Sequence, residues 1–168
     1  AVNCYEKALT INPSYANACN NLGITLKELG QLDAAVKSYE KALVIKPDFA
    51  EVHNNLGNAL DELGQLDAAI KCYEKAVAIK PGYSEAHNNL GNAFKNLAKL
   101  DAAVKCYEKA VALKPDYAEA YHNLGNSLLS LKRVDEALAS YELAIVLKPD
   151  INFILGDLLH TKMQLCIW

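Results

Sequence analysis

The chain has 168 residues, of which 52% are hydrophobic, with a formal net charge of −3 and a pI near 5.8. That balance argues against a nucleic-acid partner, because neutralising phosphates takes a clustered lysine and arginine surface. No run of eighteen apolar residues occurs, so no membrane-spanning helix is expected, and five cysteines without a CxxC pair fit a reduced cytoplasmic protein better than a disulfide framework or zinc site.

In chain order, the opening AVNCYEKALT lacks the basic and apolar regions of a signal peptide. Aligning Tyr5 with Tyr39 makes residues 1–15 the second helix of a repeat whose first helix precedes the sequence, so a piece of a longer protein is expected. From there the chain repeats. Pro13, Pro47, Pro81, Pro115 and Pro149 are spaced 34 residues apart, as are Gly23, Gly57, Gly91 and Gly125, and Tyr5, Tyr39, Tyr73, Tyr107 and Tyr141. A fixed period of this size means stacked supersecondary units that share a core. The units are 16–49, 50–83, 84–117 and 118–151, together 16–151, and each reads as two helices. In the second unit, Asp48 with Glu51 three residues on predicts a capping box. The first helix runs to about Leu63, and Gly64 suits a left-handed helix end. Asp67 opens the second helix, which stops before Pro81. Residues 152–168 leave the pattern, with Leu159 at the glycine position. They are expected to form a capping or linker helix with Leu155, Leu158, Leu159, Met163 and Cys166 on one apolar face. Self-association through this helix and the uncovered N-terminal one is expected, since apolar patches seek cover.

The unit resembles the tetratricopeptide repeat (TPR). In the second copy the matching residues are Leu56, Gly57, Leu60, Ala69, Tyr73, Ala76 and Pro81. The resemblance implies an all-α fold, a right-handed superhelical solenoid of antiparallel helix pairs, in which the first helices line a concave groove.

HNNLGN occurs at 53–58 and 87–92, and HNLGN at 122–126. Asparagine and glycine are poor helix formers, and each such word costs its helix about 2–3 kcal/mol against alanine. At 100° per residue, His53, Leu56, Gly57 and Leu60 share the packing side, while Glu51, Asn55 and Asn58 lie opposite and Asn54 lies between. Asn89 and Asn92 with Glu85, and Asn123 and Asn126 with Glu119, keep that layout. The first unit has Asn21 but Ile24 in place of the second amide. An amide both donates and accepts, so such a row suits an extended peptide held by its main chain. The candidate peptide-binding residues are therefore Asn21, Asn55, Asn58, Asn89, Asn92, Asn123 and Asn126, with Glu51, Glu85 and Glu119. The alternative is that the amides bond neighbouring helices and order a structural scaffold.

Asparagine at the sixth repeat position, here Asn21, Asn55, Asn89 and Asn123, resembles the TPR arm of bacterial O-linked N-acetylglucosamine transferases and SPINDLY-like proteins. The tail at 158–168, ending Cys166-Ile167-Trp168, is similar to the segment joining repeats to catalytic domain in bacterial members. The resemblance implies a substrate-recognition arm, with any sugar-nucleotide chemistry outside this chain. A chaperone-binding clamp would need lysine at the fifth position, where Asn20, Asn54, Asn88 and His122 stand. No nucleophile–base set, phosphate loop, metal site or cofactor motif is evident, and His53 and His87 read as packing residues.

Overall fold

The computed structural model describes residues 2–149 and 152–164. Ten α-helices make up the described residues, with no strand among them. They are α1 (Val2–Ile11), α2 (Ala16–Glu28), α3 (Leu32–Ile45), α4 (Ala50–Glu62), α5 (Leu66–Ile79), α6 (Ser84–Asn96), α7 (Leu100–Leu113), α8 (Ala118–Ser130), α9 (Val134–Leu147) and α10 (Asn152–Gln164).

The punctuation of the sequence sets these bounds. Each second helix ends two residues before a proline, with Lys46, Lys80, Lys114 or Lys148 as its last capping residue. Each first helix ends in a left-handed turn, at Gly30 (φ 73°) and Gly64 (φ 74°) and, unexpectedly, at Ala98 (φ 55°) and Lys132 (φ 62°). The expected capping box at Asp48 and Glu51 does not form. Phe49 takes the N-cap position of α4 with no side-chain cap bond, and its carbonyl accepts the amides of Val52 and His53. Glu51 reaches instead to Lys80, 2.7 Å away.

Two units divide the chain, Ala1–Gly82 and Tyr83–Trp168. In the first, α2 packs on α3 and α4 on α5, with α3 against α4 and α1 against α2. α1 buries none of its side chains. In the second unit, α6 packs on α7, α8 on α9, α7 on α8 and α10 on α9. The core of the second unit joins Val104, Tyr107, Leu124, Leu128, Tyr141 and Leu158. Of the apolar face expected on α10, Leu158 alone is buried, joined by Thr161, whereas Leu155, Leu159 and Met163 are 45–56% exposed. Cys166 lies outside the described residues. The face differs because α10 meets its neighbours through the side bearing Asp157, Leu158 and Thr161.

Candidate functional site

Each of α3, α5, α7 and α9 drives one tyrosine beneath the first helix of its own repeat. Tyr39, Tyr73, Tyr107 and Tyr141 are at most 1% exposed. A Cβ on Gly23, Gly57, Gly91 or Gly125 would stand 2.5–2.6 Å from the ring Cε1, closer than carbon atoms can approach. Glycine is therefore required by the ring of its own repeat. Beyond the ring, the hydroxyl donates to an asparagine carbonyl: Tyr73 to Asn58 at 2.8 Å, Tyr107 to Asn92 at 2.8 Å and Tyr141 to Asn126 at 2.7 Å. In the first repeat Ile24 takes that place, and the buried Tyr39 hydroxyl has no hydrogen-bond partner among the described residues. Burial pushes the Tyr39 phenol up to about 12, with Glu62 and Glu28 adding to it. Tyr141 is likewise pushed up to about 12, by burial and then by Asp157.

A second set of bonds ties one first helix to the next. In the first unit, Asn55 Nδ2 donates to Asn20 Oδ1 at 3.0 Å. In the second, Asn123 Nδ2 donates to Asn88 Oδ1 at 3.2 Å. Each bond spans 35 residues. One repeat later the same two positions are His122 and Asp157, whose Nε2 and Oδ2 are 2.8 Å apart, also across 35 residues.

These bonds correct the two-face division of the first helices. Asn54, Asn88 and Asn123 are buried, at 5%, 1% and 9% exposure, although Asn123 was expected to face outward and the other two to sit at a margin. A helical wheel treats a helix as having one neighbour. Here α8 packs on α7 and α9 and also touches α6. Asn55, Asn58, Asn89, Asn92 and Asn126 are half-buried, and Asn21 is exposed.

Two of the three glutamates are engaged within their own repeats. Glu51 pairs with Lys80 at 2.7 Å and Glu85 with Lys114 at 3.5 Å, while Glu119 is exposed. The Lys80 hydrogen bond, aided by the backbone at the helix start, holds the Glu51 carboxyl below the usual carboxylate range. His53 is buried and its Nε2 lies 2.9 Å from the Pro47 carbonyl oxygen. No group of three His, Cys, Asp or Glu side chains able to hold a metal occurs among the described residues. None of the described helices is long and apolar enough to cross a membrane.

A cleft of about 630 Å³ opens elsewhere, between Leu9, Cys19, Val44 and Ile45 with Lys37 and Lys41 at its edge. Its counterpart 34 residues on, lined by Leu43, His53, Ala78 and Ile79, holds about 340 Å³. The larger of these hollows thus lies apart from the amides of α4.

Sequence reasoning missed the tyrosine–asparagine bonds, and held amide bonds between neighbouring helices only as its alternative, without naming the partners. The tyrosine–asparagine pair had a visible signal, since both residues recur in the last three repeats and Ile24 breaks the pattern in the first.

Paired helices with an internal glycine–tyrosine lock and a closing proline define an all-α repeat protein. The chain belongs to the tetratricopeptide repeat family. The TPR repeat model matches residues 1–30, 25–64, 57–97 and 99–132, and the tetratricopeptide repeat model matches 118–151. Among solved structures it is similar to MamA, at 27% identity and a TM-score of 0.82 over 88% of this chain and 86% of that one. A second MamA structure matches at 28% identity and a TM-score of 0.79 over 89% and 81% of the two chains. A thermophilic TPR protein of Thermus thermophilus matches at 25% identity and a TM-score of 0.76 over 96% and 89%. A comparison with curated proteins gave no significant match. The fold is that of a protein-interaction module. These neighbours do not support the narrower resemblance to transferase arms. The Cys166-Ile167-Trp168 tail lies outside the described residues.

Proposed function

We propose that each unit binds an extended peptide or protein segment along its first helices, the first unit through the half-buried amides of Asn55 and Asn58 with Asn21 beside them, the second through those of Asn89, Asn92 and Asn126. The observation that carries this reading is the tyrosine bond. A hydroxyl that donates to the Oδ1 of Asn92 fixes the amide's orientation, so the carbonyl end is engaged and the NH2 end is what a partner carbonyl would meet. Preset donors cost a ligand less ordering than mobile ones. Glu119, exposed at the start of α8, favours basic or neutral partner side chains, while Glu51 and Glu85, beside Lys80 and Lys114, offer carboxylates whose charge is already offset. In this reading the chain serves as a binding arm, and a link to an O-linked N-acetylglucosamine transferase rests on the sequence resemblance alone.

A scaffold role is the second reading, and the bonds from Asn55 to Asn20 and from Asn123 to Asn88 favour it. Exposed Ile11 on α1, and Leu155, Leu159 and Met163 on α10, offer surfaces for self-association. Screening a random peptide library against the wild type, Asn92→Ala and Tyr107→Phe separates the readings. Peptide binding requires that Asn92→Ala lose at least tenfold in affinity while Tyr107→Phe, which keeps the amide, loses less. A library without binders, combined with a concentration-dependent mass in light scattering, would replace the peptide reading with the scaffold.

A further inference from the structure

The hollow beside the ends of the second helices recurs with the repeat. Leu9, Cys19 and Ile45 line its first copy, and Leu43, His53 and Ile79, each 34 residues on, line its second. The second copy forms between α3, α4 and α5, so the hollow belongs to the repeat and not to the uncovered side of α1. Yet the two copies differ in size, at about 630 and 340 Å³. We propose that the larger cleft is a binding site for a small amphipathic anion, a medium-chain alkyl carboxylate with its tail against Leu9, Val44 and Ile45 and its head at Lys37 and Lys41.

The floor makes the room. His53 is buried, and its imidazole closes the second hollow with Nε2 2.9 Å from the Pro47 carbonyl oxygen. Cys19 is buried too, but at the same repeat position it ends in a thiol. The wall changes in the opposite sense, since Val44 is larger than its counterpart Ala78. The shorter floor residue is therefore what leaves the first cleft open. Burial pushes the Cys19 thiol up, so it serves as an apolar wall and not as a nucleophile.

The lining selects the ligand. Small-molecule sites hold roughly 300–1,000 Å³, a range that includes this cleft. No aromatic ring lines it, and Val44 is 83% exposed, so an aliphatic tail would take apolar surface out of water. Lys37 and Lys41 stand one turn apart on α3, and neither joins an ion pair among the described residues. Glu40 lines the same edge, so two lysines against one glutamate leave one net positive charge there. A carboxylate head complements that edge, and an ammonium head does not. The cleft lies apart from the amides proposed to hold a peptide, and neither reading depends on the other.

Isothermal titration of the whole chain tests this, with decanoate below its micelle concentration and decyltrimethylammonium as the cation of equal tail length. Decanoate should bind saturably, one per chain, and the cation at least fivefold more weakly. Val44→Glu changes an exposed residue, so folding is not at stake, and it should cost decanoate at least tenfold in affinity. Cys19→His gives the first cleft the floor of the second and should cost as much. Lys37→Met with Lys41→Met should erase the preference for the anion while leaving tail binding in place. The absence of saturable binding, equal affinity for the two head groups, or unchanged affinity in Val44→Glu overturns the proposal. So does a dimer in light scattering that Val44→Glu dissolves and decanoate does not, which would hand the cleft to a second copy of the chain.

Discussion

Ile24 is the residue whose consequence is sharpest. Its three counterparts, Asn58, Asn92 and Asn126, each accept a buried tyrosine hydroxyl, and without that acceptor the Tyr39 hydroxyl is left unpaired. A buried donor with no acceptor forfeits about 1–3 kcal/mol of hydration, whereas a made bond returns about 1 kcal/mol. Tyr39→Phe should therefore cost nothing or add stability, while Tyr107→Phe should cost about 1 kcal/mol because it strips Asn92 of its donor. Ile24→Asn loses apolar contact, so its own effect is mixed. The diagnostic quantity is the coupling between Ile24→Asn and Tyr39→Phe in a double-mutant cycle, expected near 1 kcal/mol by urea unfolding. Additivity of the two substitutions would show that the new amide never reaches the hydroxyl.

Helices and their turns were largely legible in the sequence, because proline and glycine act locally. Pro47 and Pro81 end α3 and α5 wherever the neighbours lie. The capping box was not legible, since Glu51 had a rival partner in Lys80, 29 residues away. Bonding between neighbouring helices was an open alternative, but the partners in each amide bridge were hidden for the same reason, as an asparagine does not name its acceptor until the next helix is in place. The turn after each first helix shows a local rule being broken. Gly30 and Gly64 sit at positive φ without strain, but Ala98 and Lys132 hold the same backbone with a Cβ. A left-handed residue with a side chain costs roughly 1–2 kcal/mol, partly offset by the greater freedom glycine has when unfolded. Ala98→Gly and Lys132→Gly should each raise the unfolding free energy by about 0.5–1 kcal/mol, and Gly64→Ala should lower it by a similar amount. A lower melting temperature for Ala98→Gly would contradict this account of the turn.

For the molecule as a whole, charge sets the response to acid. Glu51 is held below the usual carboxylate range chiefly by the Lys80 hydrogen bond. Glu85 is also lowered, because backbone, Ser84 and Lys114 together outweigh its burial. A carboxyl depressed in the folded state contributes stability above its unfolded value, and that contribution fades as pH falls through its folded value. Unfolding free energy should thus decline below about pH 4.5, and Lys80→Met with Lys114→Met should flatten the decline as followed by circular dichroism. An unchanged acid limb in that variant would assign the decline to other carboxyls. The two kinds of side-chain bond also differ in reach. A tyrosine–asparagine pair closes within 15 residues and is complete in a single repeat. An amide bridge closes across 35 residues, so each repeat supplies half a bond that only a following repeat can complete. A gene that lengthens by copying whole repeats carries every half-bond with its mate, whereas a fractional insertion strands one. Growth of such a chain is thereby counted in whole units.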